Sequence, residues 1–256
     1  MGRIVKKSLS DMQCILRRRK KTNASVIFVH GFTDSIHNKT HKDKWKKSLN
    51  RVFKTADLFY FNWDANSKID ILFRILQKGL AALPLCSGSL FTQSARILFS
   101  SLLELKYAYK TAIKEAEAAG RSLGEDIKNI KNDYTYITVV GHSLGAKVVQ
   151  KALAGIGPNM IHAVYLCGAA TPEKGWDKSM QAVGERIFNL YSKQDRILTL
   201  AHILSIPKNP VGWKGFNTPD GKIVDVKVAC RHANYHQELR AKQRTIIPSC
   251  ASQNKL

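Results

Sequence analysis

The sequence predicts an α/β fold in which helices cover both faces of a mostly parallel sheet. Three observations carry that expectation. Short apolar runs rich in β-branched residues recur along the chain, helical patterns separate them, and 256 residues with 44% hydrophobic content can bury one sizeable core. α/β folds of this length are commonly single domains, so one domain over residues 1–256 is expected.

The elements follow in order. Val26-Ile27-Phe28-Val29, ending in His30-Gly31-Phe32, predicts a buried parallel strand that runs into a loop. Residues 44–53 have a helical pattern, and LFYFNW at 58–63 predicts a second strand. Residues 137–140, 161–166 and 187–191 predict three more strands, with a helix over 147–153 after the first of them. Between the second and third strands lies an insertion, residues 67–131, expected to form a helical cap. Its first half, 69–85, is dense in large apolar residues. It nevertheless carries Asp70, Arg74 and Lys78 and reaches Pro84, too charged and too short for a membrane span. A core or cap helix is the plain expectation there, and an interfacial lid that meets lipid is the sharper one. The second half places Leu102, Leu105, Tyr109, Ala112, Ala116, Leu123, Ile127 and Ile130 at the three- and four-residue steps of a long helix.

Charge narrows the partners. Lys and Arg outnumber Asp and Glu 41 to 19, and residues 1–60 alone hold 15 against 4, about half the excess of +22. Such a field favours anionic partners. The run Arg17-Arg18-Arg19-Lys20-Lys21 has no interleaved aromatic residues and no recognised binding motif, so it predicts a solvated face rather than specific nucleic-acid binding. An anionic membrane surface is the partner expected. The first twenty residues alternate charge with short apolar runs, unlike a signal peptide, and Lys6 stands where a myristoylation signal needs Ser or Thr. A cytoplasmic or peripheral-membrane location is the expectation. Five scattered cysteines show neither metal spacing nor a disulfide framework, and no metal or cofactor is expected.

Gly-x-Ser-Leu-Gly occurs twice, at 120–124 and 141–145. The first copy sits inside the long helical repeat. The second follows a predicted strand and precedes a predicted helix, the context of a nucleophile elbow, in which a sharp turn lifts a serine hydroxyl above the sheet edge. Ser143, not Ser122, is therefore the candidate nucleophile. A serine hydroxyl needs a base, an acid that orients the base, and donors for the developing oxyanion. Asp195 lies just past the strand at 187–191. Its rivals are Asp220, in the turn Thr218-Pro219-Asp220-Gly221, and Asp225, an exposed position of IVDVKV. Three histidines follow Asp195. His202 is too near it in the chain to come from a separate loop, which leaves His232 and His236 as candidate bases. Leu144, after the nucleophile, and Phe32, in the loop after the first strand, are the expected oxyanion donors, with His30 a brace for that loop.

These residues carry a resemblance. The chain resembles the α/β-hydrolase superfamily, and within it is similar to the little-characterised hydrolase family that includes the transmembrane and coiled-coil domain-containing proteins. The likeness runs along residues 99–236, through Ala119-Gly120-Arg121-Ser122-Leu123, VVGHSLGAKVV, Val164 to Ala170, Trp176, Arg186 to Asp195 and Leu198. The resemblance implies serine-hydrolase chemistry on a carboxylic ester. It also ranks the bases, because the family's closing Gly-His-x-x-Tyr matches Arg231-His232-Ala233-Asn234-Tyr235 at all but the glycine. His232 leads, and Arg231 keeps His236 as the alternative base. The transmembrane segments of some relatives do not carry over. Basic charge beside an apolar insertion points to a lipid or phospholipid ester. The alternatives are a non-lipid ester or thioester, or a catalytically silent binding protein, which would lack a member of the Ser-Asp-His set; none is missing here.

Overall fold

Short runs of β-branched and aromatic residues become the centre of the molecule. A computed structural model describes residues 12–18, 21–31, 39–63, 88–217 and 221–246. Strands β1 (Met12–Leu16), β2 (Ala24–Val29), β3 (Asp57–Phe61), β4 (Tyr136–His142), β5 (Ala163–Cys167), β6 (Ile187–Tyr191) and β7 (Ile223–Lys227) form one sheet in the order β1-β3-β2-β4-β5-β6-β7. Only the β1–β3 pair is antiparallel. Around the sheet lie α1 (Lys39–Val52), α2 (Gly88–Ile130), α3 (Gly145–Leu153), α4 (Trp176–Met180), α5 (Arg196–Ile203), α6 (Val211–Lys214), α7 (Tyr235–Ala241) and α8 (Gln243–Ile246).

The central strands show why they read as continuous apolar runs. In β2, Ile27 and Val29 join a core shared with α2 and α3, while Val26 and Phe28 join a second core on the other face, with Trp45 and Leu49 of α1 and Tyr235 and Leu239 of α7. Successive side chains point to opposite faces, and both faces are covered. This is the α/β-hydrolase arrangement that the sequence predicts.

The insertion differs from expectation in its second half. There α2 is one helix of 43 residues, and Ala112, Ala116, Leu123 and Ile127 are fully buried in the sheet's own core. From Ala112 onward it is a covering layer of the sheet rather than a cap above it. The stretch 69–85 lies outside the described residues. Within α2 the first Gly-x-Ser-Leu-Gly has a packing role. A methyl group at Gly120 would lie 2.6 Å from Lys151 Cβ and 2.7 Å from the Val148 carbonyl oxygen, so glycine is what lets α2 and α3 meet. Gly120→Val is accordingly expected to cost roughly 1–3 kcal/mol, read from denaturant unfolding.

Two further differences concern the N-terminal part. The sequence reading contains no strand at β1, an antiparallel edge strand whose register shifts between Cys14 and Leu16. Nor is the basic run entirely a solvated face. Arg18 donates from Nε to the Ala56 carbonyl (2.8 Å) and from Nη2 to the Phe53 carbonyl (2.7 Å), while its backbone N–H meets Asp57 Oδ1 (2.7 Å). One arginine of the run thus ties the end of β1 to the turn before β3.

Candidate active site

Strand β4 delivers Ser143 to the C-terminal edge of the sheet, and α3 starts two residues later. Ser143 sits at φ 53°, the left-handed conformation that L-residues rarely adopt. Local hydrogen bonds hold it there. Its N–H donates to the Cys167 carbonyl (3.1 Å), and its carbonyl accepts from Ala146 N–H (3.2 Å) and Ala170 N–H (3.0 Å). At Gly145 a side chain would collide with the carbonyls of Val29 and His30, so glycine lets the first turn of α3 press on the end of β2. Gly31, past that end, lies against Ser143 Cβ, so the loop after β2 touches the elbow.

Asp195, fully buried, is the N-cap of α5. It uses its two carboxylate oxygens separately. Oδ1 accepts from the backbone N–H groups of Ile197 (3.0 Å) and Leu198 (3.1 Å), and Oδ2 lies 2.7 Å from His232 Nδ1. His232 occupies a 3₁₀ turn, His232–Asn234, just before α7. Its Nε2 lies 2.8 Å from Ser143 Oγ. Serine, imidazole and carboxylate therefore form one hydrogen-bonded line, with Ser143 and His232 only 5% and 6% exposed. An imidazole so held can take a hydroxyl proton.

The structure does not bring His236 to Ser143. One helical turn further on, in the first turn of α7, its ring packs 5.9 Å from that of Trp45 and its Nδ1 contacts the Ala233 carbonyl (3.0 Å). Burial holds its pKa below the usual histidine value. Asp225 is engaged elsewhere, accepting from Asn189 Nδ2 (2.7 Å) and Phe216 N–H (2.8 Å). Asp220 and Phe32 lie outside the described residues. Leu144, buried, is the residue at the mouth of α3 immediately after Ser143. His30 stacks on Tyr60 and Trp63 and accepts through its carbonyl from Trp63 Nε1 (2.9 Å), which fits a brace.

Two residues at the site were given no role by sequence reasoning. His142, inside the elbow motif, places Nε2 3.0 Å from the His232 carbonyl. Tyr235 is fully buried, and its hydroxyl donates to the Gly212 carbonyl (3.3 Å). Burial, and next the charge of Asp195, pushes that hydroxyl above the usual tyrosine range, so it remains a donor. The motif His-x-x-Tyr was its available signal. Burial also raises the thiols of Cys167 and Cys230, the latter to about 12, which keeps both protonated and poor rivals to Ser143 as nucleophiles.

Sheet order, strand–turn–helix elbow and the Ser143–His232–Asp195 line together define a chain of the α/β-hydrolase fold. Its sequence belongs to the family described as Protein of unknown function (DUF726), whose model matches residues 6–208. The transmembrane and coiled-coil domain-containing protein STS1 of Oryza sativa subsp. japonica is 27% identical over 162 residues, covering 56% of this chain. The chain spans only 24% of that relative's length. Among solved structures, a putative aryl esterase from Burkholderia cenocepacia is 13% identical with a TM-score of 0.43, covering 88% of this chain and 89% of its own. The Francisella virulence factor BioJ is 13% identical with a TM-score of 0.41, covering 92% and 75% respectively.

Proposed function

We propose that the protein is a serine hydrolase that cleaves a carboxylic ester through an acyl-enzyme on Ser143. The observation that carries this reading is the unbroken line from Ser143 Oγ to His232 Nε2 (2.8 Å) and from His232 Nδ1 to Asp195 Oδ2 (2.7 Å). Asp195, capping α5 with one oxygen, fixes the Nδ1–H tautomer of His232 with the other. Nε2 then accepts the Ser143 proton as Oγ attacks the ester carbonyl. The Leu144 N–H receives the oxyanion, His232 returns the proton to the departing alkoxide, and water releases the acyl group by the same route.

The substrate we favour is a lipid or phospholipid ester at an anionic membrane surface. The support is the net charge of +22 together with the apolar insertion. Among the described residues no helix is long and apolar enough to cross a membrane. The test incubates phospholipid vesicles with the parent and with Ser143→Ala and identifies released fatty acid by mass spectrometry. Release by the parent alone is the expected result. Turnover of a soluble short-chain ester without any fatty-acid release would remove the lipid from the reading and leave the esterase.

A further inference from the structure

Helix α2 is longer than the sheet it covers. Its C-terminal end, Ile130, leads through residues 131–135 into the start of β4, so α2 runs antiparallel to β4 and approaches the site edge in its middle. There Tyr109 donates its hydroxyl to the Ala170 carbonyl (3.0 Å), and the Ala170 N–H in turn donates to the Ser143 carbonyl (3.0 Å). The helix does not end at that contact. Residues 88–108 continue it, and at 1.5 Å per residue they carry it about 30 Å beyond the edge on which Ser143 stands.

The last turns of this overhang before the site are apolar where they face water. Leu103 is 53% exposed and Tyr107 76%, two of the three large hydrophobic residues exposed among those described. Standing four residues apart, they form one stripe of the helix. Lys106 and Lys110, also exposed, stand in the same turns, with Glu104 the acid among them. At the same sheet edge α1 begins, with His41 ring-to-ring against His142 at 5.7 Å and Lys44 exposed. An apolar stripe with cations beside it, on a chain of net charge +22, is complementary to a lipid surface of negative charge.

We propose that the stretch of α2 around Leu103 and Tyr107, where the overhang leaves the site edge, is the surface by which this protein docks on anionic bilayers. The stripe enters the headgroup region, Lys106 and Lys110 meet phosphates, and the contact through Tyr109 and Ala170 sets the elbow beside the membrane. This rests on the proposed ester hydrolase activity for its purpose, not for its test.

The test measures co-sedimentation of the full chain with vesicles of phosphatidylglycerol mixed with phosphatidylcholine, and with phosphatidylcholine alone, across a salt series. The parent is expected to bind the anionic vesicles, more weakly as salt rises, and the neutral ones poorly. Leu103→Glu with Tyr107→Glu should weaken anionic binding at least about tenfold, as should Lys106→Glu with Lys110→Glu. Both pairs should keep the parent's far-UV circular dichroism and its rate on p-nitrophenyl acetate. Tyr107→Trp, which keeps an interfacial aromatic ring, should bind like the parent. Parent-like binding by either charged pair, or equal binding to neutral and anionic vesicles, overturns the proposal. So does a parent dimer that the Leu103 and Tyr107 changes split without altering vesicle binding, which would make the stripe an interface between copies. Absence of any ester turnover by the parent would sink the proposed activity instead, while the vesicle measurement still decides the docking.

Discussion

Ser143→Ala is expected to abolish ester hydrolysis, lowering kcat by roughly 10^4- to 10^6-fold, while the protein remains folded. The substitution removes the hydroxyl on which the proposed acyl-enzyme forms. It leaves the elbow's backbone bonds in place, because Ser143 is held at φ 53° through its N–H and carbonyl, not its hydroxyl. Alanine has the same Cβ and bears the same left-handed conformation at about the same cost, of order 1–2 kcal/mol for either residue. Unfolding curves should therefore nearly superimpose where the progress curves do not. Residual turnover near the parent's rate would place the nucleophile elsewhere.

Asp195→Asn should lower kcat by about 10^4-fold with the fold intact. The two-sided use of the carboxylate makes this substitution informative. Asparagine is as good an N-cap as aspartate, so its oxygen can keep accepting from Ile197 and Leu198 N–H and α5 keeps its start. Its amide nitrogen then faces His232 Nδ1 and donates, which favours the tautomer carrying hydrogen on Nε2. That nitrogen can no longer accept from Ser143. Asp195→Ala loses the cap as well, at a further cost of about 1 kcal/mol in stability. His232→Ala should be at least as damaging to kcat as Asp195→Asn. His236→Ala should be far milder, because His236 faces Trp45 and not Ser143. Steady-state kinetics on a soluble ester, with thermal unfolding of each variant, separate these effects; a dead His236→Ala beside an active His232→Ala would reverse the assignment of the base.

What could be read in advance was what the chain encodes locally. The elbow is a strand, a turn and a helix between Tyr136 and Leu153, so the context of Ser143 stood apart from that of Ser122. Strands β2 to β6 announced themselves because burial on both faces forces uninterrupted apolar runs. Strand β1 had no such mark. Gln13 and Cys14 are exposed, the run borders five consecutive basic residues, and its pairing partner lies over forty residues away. Arg18 was masked for the same reason, since its partners Ala56, Phe53 and Asp57 are brought to it only by the sheet.

The histidines show the other limit. His232 and His236 are one helical turn apart, and no count of residues decides which of them faces the sheet edge. Resemblance to a family ranked them, and the reason becomes visible only in three dimensions: the 3₁₀ turn at His232 precedes α7, while His236 is already inside that helix against α1. His142 and Tyr235 were on the page as motif letters. Their contacts, to the His232 carbonyl and to the Gly212 carbonyl, join segments far apart in the chain and follow from no local pattern.

Ser143, and not the serine of the first motif copy, is the proposed nucleophile. A fluorophosphonate probe separates the two serines, since it reacts covalently with a serine whose hydroxyl passes its proton to a neighbouring base as it attacks. The parent, Ser122→Ala and Ser143→Ala are each treated with the probe, digested, and the labelled peptide sequenced by mass spectrometry. Label is expected on Ser143 in the parent and in Ser122→Ala, and none in Ser143→Ala. Label on Ser122, or undiminished labelling of Ser143→Ala, would contradict that assignment.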